Sequence, residues 1–138
     1  MLRIAWKMSA FLLLGFCVNC KSNNCNVLPD INIQQTFSQA NAPEAFNSNG
    51  KAYIDGGVAG LIIYNMSSSG QYDFIAYDRC SPVNPQERNP VTVNGFIAED
   101  QVSGAQWLLK DGSPLKNAEC PLRAYRVSKM GNSYTVVN

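Results

Sequence analysis

Gly57-Val58-Ala59-Gly60-Leu61-Ile62-Ile63-Tyr64-Asn65, followed after a polar turn by Phe74-Ile75-Ala76-Tyr77-Asp78-Arg79-Cys80, decides the fold. Leu61-Ile62-Ile63 is a short, nearly continuous apolar run, the mark of a strand buried on both faces. In the second run Phe74 and Ala76 alternate with Ile75 and Tyr77, so both faces of that strand are also partly covered. Ser67-Ser68-Ser69-Gly70 supplies the turn between them. Upstream, Ala52-Tyr53-Ile54 leads into the hairpin-type turn Asp55-Gly56-Gly57.

Working outward, the same pattern recurs. Residues 80–90 carry Pro82, Pro85 and Pro90 and form an irregular loop. Val91-Thr92-Val93 and Phe96-Ile97-Ala98 make a strand pair turning at Asn94-Gly95. Trp107-Leu108-Leu109 is a short strand that ends at Lys110-Asp111-Gly112. Leu122, Tyr125 and Val127 open a penultimate strand, and Tyr134 to Val137 form the last, with Gly131-Asn132 between them. Ile31, Ile33 and Phe37 give a weaker first strand, and residues 38–50 read as a loop. Strand signals about every 8–12 residues, with no helical period after the leader, predict an all-β antiparallel sandwich or small barrel.

The first 20 residues read as an export signal. Arg3 and Lys7 precede an apolar stretch from Met8 to Val18. That stretch is too short for a membrane span, which needs about 20 apolar residues. A cysteine at its end, followed by Lys21-Ser22-Asn23-Asn24, resembles a bacterial lipoprotein signal, in which the cysteine is lipidated. Cys20 is preferred over Cys17, because the residue before the cut should be small and Phe16 fits worse than Asn19. The chain then divides into a signal peptide (1–19), a tether (20–30) and a β domain (31–138). This predicts a lipid-anchored protein of the cell envelope, facing the periplasm, with the membrane as one partner through the N-terminal lipid.

Charge and composition exclude several functions. Charged residues make up 15% of the chain, with 11 basic and 10 acidic. Without Arg3 and Lys7, nine basic residues face ten acidic ones, and none form a run. A nucleic-acid partner, which needs a clustered basic face, is not expected. The sequence contains no histidine, which removes Ser-His-Asp and Cys-His catalysis and histidine metal sites together. Asp78, Glu99 and Asp100 show no spacing that points to paired-acid catalysis and are expected to be solvated loop carboxylates. Trp107, Tyr53, Tyr77 and Tyr125 lie in strand patterns and are expected in the core. No catalytic residue is predicted.

Residues 57–80 also resemble the approach to the first cluster-binding loop of Rieske iron–sulfur domains. The family's Cys-x-His loop is matched by Cys80-Ser81-Pro82. Its second loop, Cys-x-x-His-Gly, is matched by Asp100-Gln101-Val102-Ser103-Gly104, and an aromatic residue, Trp107, follows at the family's spacing. Asp111-Gly112-Ser113-Pro114-Leu115 resembles the next turn, and Cys120-Pro121-Leu122 the return strand. The resemblance covers about residues 50–138. It implies a Rieske-like β fold in which the four ligand positions are Cys80, Pro82, Asp100 and Ser103. A Rieske [2Fe–2S] centre takes two thiolates and two imidazoles; only Cys80 is retained. The expectation is a degenerate member without cofactor or metal, acting as a structural or partner-binding module with an unidentified protein partner. The alternative is an electron-transfer protein with an atypical [2Fe–2S] site. Because Cys80 and Cys120 flank the loops that meet around the family's cluster, the resemblance also implies a Cys80–Cys120 disulfide. Counting alone leaves Cys25–Cys80 and Cys25–Cys120 open.

Overall fold

The computed structural model describes residues 24–138; the signal segment and the predicted lipidation site Cys20 lie outside the described residues. The described residues are nearly all-β, with ten strands and two short 3-10 turns, Pro43–Phe46 and Pro85–Glu87. The strands are β1 (Gln34–Phe37), β2 (Lys51–Ile54), β3 (Leu61–Asn65), β4 (Phe74–Asp78), β5 (Thr92–Asn94), β6 (Ile97–Glu99), β7 (Gln106–Leu108), β8 (Pro114–Lys116), β9 (Ala124–Met130) and β10 (Ser133–Val137). They form a six-stranded sheet in the order β1-β10-β9-β4-β3-β2 and a four-stranded sheet in the order β5-β6-β7-β8. All strand pairings are antiparallel.

Strand β3 explains how the sheets pack. All five of its residues are buried. Leu61 and Ile63 point into one core with Phe37, Ala76, Tyr125, Tyr134 and Val136. Ile62 and Tyr64 point the other way, into a second core with Tyr77, Val91, Ala98, Trp107 and Leu109. The larger sheet therefore carries an apolar layer on each face, and the smaller sheet covers one of them. A fully buried Leu or Ile side chain stabilises by about 1.5–3 kcal/mol, and β3 places three of them at zero exposure.

Several predicted boundaries shift by a residue. In the β5–β6 hairpin Asn94 pairs with Ile97, so the turn is Gly95-Phe96 rather than Asn94-Gly95. Gly95 has φ +61°, and a two-residue hairpin loop favours a positive φ at its first position. Strand β8 was not expected; its Pro114 and Lys116 pair with Trp107 and Gln106 across an irregularity in register. The β9–β10 turn lies at Gly131-Asn132, where it was predicted.

The N-terminal segment departs most from the sequence reading. Cys25 is bonded to Cys120, with Cα atoms 5.3 Å apart across 95 residues of sequence. The expected Cys80–Cys120 bridge does not form; Cys80 is a buried free thiol. The physical reason is direction. Cys80 turns inward at zero exposure, its Sγ 3.8 Å from the Ser81 carbonyl and 3.7 Å from that of Pro85. Cys120 lies half-buried in the outer loop before β9, where the incoming chain passes. Nor does the second half of the predicted tether hang free. Leu28 is buried, and the Arg123 guanidinium donates to the Pro29 carbonyl, to Asp30 Oδ1 at 3.0 Å and to Asn26 Oδ1. Among the described residues no helix is long and apolar enough to cross a membrane.

Candidate functional site

The four positions aligned with Rieske ligands come together where the loop after β4 meets the loop after β6. Cys80, Ser81 and Pro82 are all buried, and Cys80 forms an isolated bridge with Pro90 across its own loop. The Ser81 amide donates to the Asn89 carbonyl at 2.9 Å. In the second loop Asp100 is 1% exposed. Its Oδ1 accepts from the Val102 amide at 2.9 Å and the Ser103 amide at 3.4 Å, and its Oδ2 from the Ser103 hydroxyl at 2.8 Å. The Ser81 hydroxyl bonds to the same carboxylate and joins the two loops. Burial pushes the Asp100 pKa up, but the two hydroxyls and two amides outweigh it and hold the group below its ordinary 3.8. Asp100 is a charged, structural loop-closing group and not the solvated carboxylate expected.

Asp78 is likewise at zero exposure. Its Oδ2 accepts from the Val58 amide at 2.7 Å and the Tyr125 hydroxyl at 2.9 Å; its Oδ1 accepts from the Cys80 amide at 2.8 Å and the Ala59 amide at 3.3 Å. This carboxylate ties the β2–β3 loop, the end of β4 and β9 together. Gly57 makes the approach possible: it has φ +63°, and a Cβ there would lie 2.5 Å from Asp78 Oδ2. Glu99, by contrast, is half-buried at the end of β6. Burial raises the Cys80 thiol pKa, Asp78 and Asp100 raise it further, and Arg88 partly offsets them. A thiol perturbed in that direction stays protonated near neutral pH, the reverse of what a nucleophile or metal ligand requires.

This donor set does not fit a [2Fe–2S] cluster. Cys80 is one thiol where two are needed, Pro82 has no side-chain donor, and the Asp100 and Ser103 oxygens are engaged with each other. Among the described residues no group of three or more His, Cys, Asp or Glu side chains is placed to hold a metal ion. Every buried side-chain nitrogen and oxygen among them has a hydrogen-bond partner, so none at the junction is left unpaired.

Trp107, Tyr77 and Tyr125 are buried as expected. The Trp107 indole donates to the Cys120 carbonyl at 2.8 Å, and the Tyr77 hydroxyl to that of Leu109 at 2.9 Å. Tyr53 is not in the core. It is 48% exposed, accepts from the Val93 amide at 2.8 Å and lies under the Arg79 guanidinium, 4.0 Å from the ring centroid. These two residues line a cleft of about 650 Å³ with Gln35, Thr36 and the glycine-rich β2–β3 loop. Sequence reasoning assigned Arg79 no role; the only available signal was a basic residue beside the first loop cysteine.

No family model matches the chain, and no curated protein matches it. Among solved structures the chain is similar to one described as a putative nitrite reductase NADPH (small subunit) oxidoreductase protein. The two share 16% identity, 76% of this chain and 98% of that chain are covered, and the TM-score is 0.44.

Proposed function

We propose that the protein is a non-catalytic, Rieske-like module without a cluster, held at a membrane face of the cell envelope by a lipid on Cys20 and serving a structural or partner-binding role. The observation that carries this reading is the closed loop junction. The positions that would hold iron are occupied by a proline and by a carboxylate and a hydroxyl bonded to each other at 2.8 Å. What in a cluster protein would be bridged by metal is here bridged by the Asp100 carboxylate, which accepts from both loops. The remaining thiol is buried and protonated, which also speaks against thiol–disulfide chemistry at Cys80.

Iron and acid-labile sulfide analysis tests the reading, together with visible spectra of protein purified with and without air. The expected result is no stoichiometric iron or sulfide and no visible band under either condition. Stoichiometric iron with sulfide, accompanied by a visible chromophore that bleaches on reduction, would overturn it in favour of electron transfer.

A further inference from the structure

The Cys25–Cys120 bond fixes the point at which the chain enters the domain, and with it the direction from which an anchor pulls. We propose that the domain rests against a phospholipid bilayer with the bridge end facing the lipid and the β9–β10 turn pointing away. The inference builds on the reading that Cys20 carries the lipid.

The argument is one of reach. Five residues lead from Cys20 to Cys25, and extended chain spans at most about 3.3–3.6 Å per residue, so the leash is no longer than about 18 Å. Beyond Cys25 there is no slack. The disulfide pins that residue to Cys120, Arg123 holds Asn26 and Asp30, and Leu28 is buried. Strand β9 starts at Ala124, close to the bridge, and runs to Met130; at about 3.3 Å per residue it carries the Gly131-Asn132 turn some 20 Å away. The leash keeps the bridge end near the lipid, and the pairings Leu61↔Asp78 and Tyr77↔Ala124 put the β2–β3 loop and the loop after β4 at that same end of the sheet, with the β9–β10 turn at the opposite end.

The surface beside the bridge suits such a contact. Val27, Pro29, Val58 and Pro85 line a depression of about 340 Å³ together with Gln86 and Arg88. Apolar side chains flanked by a guanidinium match the glycerol and phosphate layer of a bilayer, where the first lose water contact and the second meets phosphate oxygens.

Paramagnetic relaxation of the full, anchored protein tests the proposal. The probe is a phosphatidylethanolamine–phosphatidylglycerol nanodisc containing a gadolinium-chelating lipid. Amides at Asn26, Gln86 and Arg88 are expected to broaden at least about fivefold more than those of Gly131 and Asn132, as a surface-held orientation requires. In a Cys25→Ser/Cys120→Ser/Arg123→Ala protein the ties at Cys25, Asn26 and Asp30 are all removed, the leash lengthens, and the contrast is expected to fall at least about twofold. Mass spectrometry of the N-terminal peptide separates the two ways of failing. If Cys20 carries no lipid, the anchoring reading falls and this orientation falls with it. If the lipid is present but both ends broaden equally, or the far turn broadens more, the orientation alone is overturned.

Discussion

Asp100 shows how a single side chain takes over a structural task. Four donors converge on its carboxylate, two from serine hydroxyls and two from backbone amides, and they favour the charged form. Because its pKa in the folded protein lies below the ordinary value, the associated stability is fully present well above pH 3.8 and is lost as pH falls through the folded value. An Asp100→Asn protein keeps the shape but turns an acceptor toward hydroxyls into a donor. It should lose about 1–3 kcal/mol at neutral pH. The gap to the parent should shrink as the pH is lowered below 3.8 and through the folded value, where the parent carboxylate also becomes protonated. Urea unfolding at a series of pH values measures both quantities; a gap that does not depend on pH would show that the charge of Asp100 is not what closes the loops. The role was invisible in the sequence. Asp100 sits in a polar loop like any solvated carboxylate, and only the approach of Ser81 from a second loop reveals that it is enclosed. Asp78 was hidden in the same way, since three of its four donors come from residues 19 or more positions away.

Among the elements, legibility followed periodicity. The uninterrupted Leu61-Ile62-Ile63 run announced a strand covered on both faces, and β3 has two cores to match. Strand β8 was illegible because Pro114 and a register irregularity hide its pairing. The segment before β1 was misread because polar composition says nothing about where a cysteine finds its partner. Its disulfide joins residues 95 apart in sequence, so on chain-entropy grounds removing it should cost up to about 4–5 kcal/mol, with measured values commonly about 2–5. A Cys25→Ser/Cys120→Ser protein should therefore show a clearly lower urea midpoint than the parent, and the parent under reducing conditions should match it. Equal midpoints for oxidised and reduced parent would mean that the bridge contributes nothing to folding.

Across the whole molecule the two apolar layers and the hydrogen bonds account for one another: every buried polar side-chain atom among the described residues is paired, and the two buried carboxylates are spent on holding loops. The all-β class could be read in advance because turns and apolar alternation are local signals. The division into a six-stranded and a four-stranded sheet could not, because it depends on which distant strands meet. The seam between the sheets is reinforced at β2, where the Lys51 ammonium lies 5.1 Å from the centre of the Phe96 ring and the Tyr53 hydroxyl accepts from the Val93 amide. Strand β2 is also an outer strand of its sheet. An open strand border is a template on which a second copy can deposit and seed fibrils, and a lysine planted there is a recognised deterrent. Concentrated Lys51→Val protein should scatter more light and bind thioflavin sooner than the parent, whereas an unchanged lag time would mean that this border needs no guard.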